Sequence, residues 1–104
     1  MNIKKVKSAK SVLEKLGSKQ TTFGGLLKTH RLAEEMTLAD MAAVLKISIS
    51  HLSDIENSRK FVSIERAKEF ARRLDDSEKY FILVALRDLL RRANCLYEIE
   101  LKAM

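Results

Sequence analysis

Apolar residues recur every three or four positions along most of the chain, which is the spacing of one helix face. The tightest pattern lies between Thr37 and Asn57. Leu38, Met41, Ala42 and Leu45 mark one short helix, and Ile49, Leu52 and Ile55 a second. Only Lys46, Ile47 and Ser48 separate them, and Ser48 can cap the second. Helices of about eight residues are marginal alone, so other packing must hold this pair. The flanking pattern provides that packing. Phe23, Leu26, Leu27 and His30 predict a helix from near Thr22 to about Glu34. Gly24 and Gly25 either weaken its first turn, by roughly 1 kcal/mol each, or permit close packing. Thr37 caps the next helix, with Asp40 as the capping-box acid. Ser63 opens a fourth helix, which turns Ile64, Ala67, Phe70, Ala71 and Leu74 inward; Arg66 stands where a box would need Glu or Gln. Asp75 with Glu78 forms a better box and opens a fifth helix to about Ala93, with Phe81, Val84, Ala85, Leu89 and Tyr80 as candidate buried positions.

The two ends follow different patterns. In residues 1–16, Ile3, Val6, Ala9, Leu13 and Leu16 keep a helical period among lysines, and Gly17 can end that helix. The alternative is a solvated tail. Near the other end Cys95, Tyr97, Ile99 and Leu101 alternate with Leu96, Glu98, Glu100 and Lys102, the period of a half-buried strand. A lone strand has no partner in a helical chain, but two copies can pair across a two-fold axis. A frayed tail or a helical extension of the fifth helix is the alternative. The chain thus divides into a basic arm (1–21), a helical domain (22–75) and a fifth helix with a dimerisation segment (76–104).

Composition agrees with an all-α fold. The 104 residues suit one small domain, with no proline and only three glycines. Nothing approaches the roughly 18 apolar residues of a membrane span, and no secretion-signal pattern is present. Cys95 is the only cysteine, so no intrachain disulfide forms, and a cytoplasmic protein is expected. The net charge of +6 points to nucleic acid or a membrane surface, but its distribution limits the inference. Residues 1–20 hold six lysines and one glutamate, net +5, while residues 21–104 hold 14 basic and 13 acidic groups, net +1.

The central unit resembles the helix-turn-helix of the Cro/phage-repressor (Xre) family, over roughly Phe23 to Leu74. Ala42 matches the family's alanine where the two helices touch. Met41, Leu45, Ile47, Leu52 and Ile55 match its apolar positions, and the segment LSDIENSRK, from Leu52 to Lys60, looks like the end of its recognition helix and the following loop. Lys46 stands where the family usually has glycine, and Leu38 where it favours a phosphate-holding polar residue. The backbone N–H groups of that helix end remain for phosphate. The resemblance implies a five-helix phage-repressor-like domain, a homodimer, and double-stranded DNA as partner; a C-terminal β-strand pairing across that dimer is the further possibility raised by the alternation at residues 95–102. It also implies an Arg31–Glu56 pair between the first and third helices, against the alternative that Arg31 binds phosphate.

Carried over residue by residue, the candidate DNA contacts are Lys46, Ser48, Ile49, Ser50, His51, Ser53, Asp54, Asn57, Arg59 and Lys60. Ser50 can bond a base edge or a phosphate, Ile49 can meet a thymine methyl, and Asp54 can accept from a cytosine amino group. Core packing is the alternative for Ile49, and a solvated charge for Asp54. His51 suits a phosphate. Asn57, Arg59, Lys60 and Lys46 would grip phosphate around the helix, with the lysine arm supplying further charge. Phe81, Leu89, Tyr97, Ile99 and Leu101 are the candidate dimer contacts. Arg87, Arg91 and Arg92 fall on the polar side of the fifth helix, as solvated charges, with contact to DNA or an acidic partner as the alternative. Catalysis finds little support. His30 and His51 fall on different helices, no metal-ligand spacing occurs, and no cofactor motif is present. Cys95 reads as a small apolar residue. The rival readings are an antitoxin that also holds a toxin through residues 1–16, and an interaction module without DNA binding.

Overall fold

A computed structural model of the chain describes residues 22–94, which form five α-helices and no strand. These are α1 (Phe23–Ala33), α2 (Leu38–Leu45), α3 (Ile49–Glu56), α4 (Ile64–Arg73) and α5 (Glu78–Arg92). The basic arm and the alternating C-terminal segment, with Tyr97, Ile99 and Leu101, lie outside the described residues.

Each helix opens on a serine or threonine. Thr22, Thr37, Ser48, Ser63 and Ser77 each accept from a backbone N–H three residues on. This satisfies one of the N–H groups that a helix start leaves without a partner. The fifth cap corrects the sequence-based expectation: Ser77, not Asp75, opens α5. Asp75 is instead taken up in ending α4, at φ 54°. Its N–H reaches the Arg72 carbonyl at 3.2 Å, and that of Asp76 reaches Ala71 at 2.9 Å. Glu35, Lys46 and Ser58 end their helices with the same pair of bonds and positive φ, and Asn94 follows α5 at φ 60°. No glycine occupies any of these five left-handed positions.

The core gathers at the crossing of α1, α4 and α5. Phe23, Phe70 and Phe81 are fully buried, with Phe23 edge-on to Phe81 at 5.8 Å and tilted against Phe70 at 6.4 Å. Burying each such side chain contributes about 2–3 kcal/mol. Phe81 is therefore not available at a dimer surface, which corrects its place among the candidate contacts. Its residues on the same face, Val84 and Ala85, are buried with it, so α5 shares one core with the helical domain. Leu89 is only half-buried.

The face that carries Phe81, Val84 and Ala85 continues to Asp88, which is 8% exposed. Its carboxylate accepts from the backbone N–H of Phe23 at the start of α1, and Arg91 Nη1 donates to it at 3.3 Å. Burial raises its pKa above the ordinary aspartate value, against the Phe23 and Arg91 contributions. A second polar contact lies at the other end of α1. His30 Nδ1 sits 2.8 Å from Asp76 Oδ2, and Asp76 Oδ1 accepts from the Ser77 N–H at 2.7 Å. His30 is thus a buried packing residue of α1 with one carboxylate partner.

Candidate nucleic-acid interface

The α2–turn–α3 unit is assembled from local rules first. Thr37 Oγ1 accepts from the Asp40 N–H, and Asp40 Oδ2 accepts from the Thr37 N–H, each at 3.0 Å. These bonds hold the Asp40 carboxyl below the usual aspartate range. The start of α2 therefore carries an exposed, ionised carboxylate, which disfavours phosphate where the sequence left backbone N–H groups for it. The turn is built on Lys46 at φ 60°, ψ 43°. Ile47 N–H returns to the Ala42 carbonyl at 3.0 Å, and Ile47 packs against the core. The left-handed conformation costs lysine about 1–2 kcal/mol more than glycine.

Next comes the attachment of α3 to α1. Leu52 and Ile55 are buried. A Cβ on Gly24 would run into the Ile55 carbonyl oxygen and come within 2.9 Å of that of Glu56. Glycine is what lets the two backbones approach this closely. Beside this contact, Arg31 grips Glu56 with two prongs, Nε to Oε2 at 2.9 Å and Nη2 to Oε1 at 3.1 Å, while its Nη1 donates to the Met36 carbonyl at 3.2 Å. All three guanidinium nitrogens are engaged within the domain and both side chains are largely buried, so Arg31 is occupied rather than offered to phosphate.

The candidate contacts divide by what already holds them. Ile49 is 51% exposed, which removes the alternative of core packing. Ser50, Lys46 and Lys60 are exposed too, and no hydrogen bond within the described residues holds their side chains. His51 and Ser53 are half-buried. Ser48 Oγ is committed to the His51 N–H at 3.0 Å. Asn57 Nδ2 donates back to the Ser53 carbonyl at 2.8 Å. Asp54 and Arg59 are joined to each other, Oδ1 to Nε at 3.0 Å. This pair reduces the charge that either would bring to DNA alone. Lys46 lies close enough to α4 to act on the Glu69 carboxyl, whose pKa is lowered first by its bond to Arg73.

The family model of the helix-turn-helix domain matches residues 22–78, from the cap of α1 into the first turn of α5. The chain belongs to the helix-turn-helix domain family. No curated protein and no solved structure matches it. In a helix-turn-helix domain the second helix of the pair presents its N-terminal residues to the major groove. Here that helix is α3, and its uncommitted side chains are those of Ile49 and Ser50, which are exposed, and His51, which is half-buried. Among the described residues, no helix is long and apolar enough to cross a membrane, and no group of three or more potential ligands is placed to hold a metal.

Two features of this helix-turn-helix domain were not legible in its sequence, the Asp54–Arg59 pair and the burial of Asp88, while the Gly24 approach was one of two readings that the sequence left open. The apolar period does place position 88 inward, as the next step after 81, 84 and 85. An aspartate there reads as a surface residue until the start of α1 is placed against it.

Proposed function

We propose that this protein is a cytoplasmic transcriptional regulator of the Cro/phage-repressor (Xre) type. It binds double-stranded DNA sequence-specifically as a homodimer, represses by occlusion and has no catalytic role. The observation that carries this reading is the rigid seat of α3. Its C-terminal end is locked to α1 through Gly24 and the Arg31–Glu56 fork, and its N-terminal end offers Ile49 and Ser50 to solvent. A fixed angle is what lets a side chain meet one base edge and not its neighbour. Ile49 suits a thymine methyl and Ser50 a base-edge acceptor or donor; Lys46 and Lys60 suit the phosphates on either side.

Dimerisation is supported by α5. Ile82, Leu83, Leu86, Leu89 and Leu90 are half-buried and stand outside the core cluster, an apolar stripe that a second copy would cover. Two copies would read half-sites about one helical turn apart. The antitoxin reading depends on residues 1–16, outside the described residues. Fluorescence anisotropy with labelled upstream DNA against random DNA, at several salt concentrations, tests the proposal. Tighter binding to the upstream DNA is expected; equal affinity for both would overturn it.

A further inference from the structure

The described residues include eight arginines, and five are held by carboxylates: Arg31 by Glu56, Arg59 by Asp54, Arg72 by Glu78, Arg73 by Glu69 and Arg91 by Asp88. Arg92 is held differently. Its guanidinium carbon lies 3.7 Å from the centre of the Phe61 ring. Among the described residues no carboxylate bonds to it directly, although its charge acts on the Asp88 carboxyl from a distance, and the residue is exposed. Arg66 has a looser ring contact, 5.8 Å from Phe70, and Arg87 has none.

Phe61 directly follows Arg59 and Lys60, the exposed loop that leaves the recognition helix. The stack therefore brings a cation from the far end of α5 to that loop, some thirty positions away in sequence. A guanidinium laid on an aromatic face spends its π surface on the ring. Its N–H donors lie in its own plane, so the edge stays free for a planar, two-pronged acceptor. The stack also restricts the long side chain before any ligand arrives, which lowers the entropy lost on binding. A positive group held this way beside Lys60 suits a phosphodiester.

We propose that Arg92, seated on Phe61, is a DNA-phosphate contact that extends the α3–α4 loop's grip, so that α5 takes part in binding DNA. This rests on the DNA-binding reading above. It assigns α5 a role separate from its apolar stripe.

The test is the salt dependence of binding for the full chain, with Arg92→Gln, Phe61→Leu, their combination and Arg87→Gln, on the upstream duplex and on random duplex. One lost phosphate contact lowers the slope of log affinity against log salt by about 1. Arg92→Gln is expected to do this on both duplexes alike, because a phosphate contact carries no sequence information. Phe61→Leu unseats the arginine and should give part of the same change, and the double variant should add nothing beyond Arg92→Gln. Arg87→Gln should leave the slope as it is. Thermal melts of each variant separate this from loss of fold. An unchanged slope in Arg92→Gln, with the wild type still binding, overturns the inference and leaves the DNA-binding reading standing. An equal drop in Arg87→Gln also overturns it, since the effect is then one of overall charge. A wild type that binds neither duplex overturns both.

Discussion

The two ends of α3 are built on opposite plans. At the C-terminal end almost every group is committed. Gly24 of α1 lies against the Ile55 carbonyl, Arg31 forks onto Glu56, Asn57 folds back onto Ser53, and Arg59 closes on Asp54. At the N-terminal end a single cap, Ser48, orders the backbone, and Ile49 and Ser50 stand in solvent without partners. A short helix that must meet DNA at a fixed angle is thus fixed from the end farther from its reading residues. Two eight-residue helices have too little internal stability to hold an angle themselves, so α1 supplies it.

The sharpest way to break this contrast is Gly24→Ala. The new Cβ meets backbone rather than a mobile side chain, so α3 must move away. Overpacking of this kind costs about 3 kcal/mol, and chemical denaturation should show it together with lost DNA affinity. A variant as stable as the wild type would show that α3 is not seated on that glycine. Glu56→Ala comes next. It leaves Arg31 largely buried without its carboxylate, at a cost of about 2–3 kcal/mol, and should lower both melting temperature and affinity. An unchanged melting temperature would count against the fork.

Lys46→Gly, in the turn before α3, sharpens the contrast by separating stability from binding. Glycine relieves the left-handed backbone and should stabilise the fold by about 1 kcal/mol. The same change removes a phosphate cation, so the salt slope of binding should fall by about 1. Gains in both properties would exclude Lys46 from the interface.

Asp88→Asn probes how α1 itself is anchored. Because burial raises the Asp88 pKa in the folded state, ionising it opposes folding. That penalty is full above the folded-state pKa and disappears as pH falls towards the unfolded value of 3.8. Asparagine keeps an acceptor for the Phe23 N–H without the charge. The variant should therefore be more stable than wild type at neutral pH, by under about 1 kcal/mol, and the difference should shrink towards pH 4. Denaturation curves across that range check the sign. The smallest stability effect belongs to Ser50→Ala, within about 0.5 kcal/mol of wild type. Its expected consequence is altered preference among operator variants, read by competition binding. A variant with unchanged preference would remove Ser50 from the reading set.

What this chain's sequence determines by itself is mostly local. Thr22, Thr37, Ser48 and Ser63 announce helix starts because a cap bonds a backbone group three residues away. The inward faces of α1, α2 and α4 follow from a 3.6-residue period, with α3 departing only at Ile49. The Arg31–Glu56 pair came from the resemblance, since nothing local links positions 25 residues apart. Even local rules compete, however. Asp75 with Glu78 had the form of a capping box, but the end of α4 claimed Asp75 for its left-handed turn and passed the cap to Ser77. The rest depends on where helices cross. Whether Gly24 weakens a turn or admits a backbone, whether Asp88 is wet or buried, and whether Arg92 meets solvent or Phe61 are set by interhelical distances that no spacing along one helix encodes. The tertiary structure decided them by bringing the α1 start to the end of α3 and to α5, and the α5 end to the loop after α3.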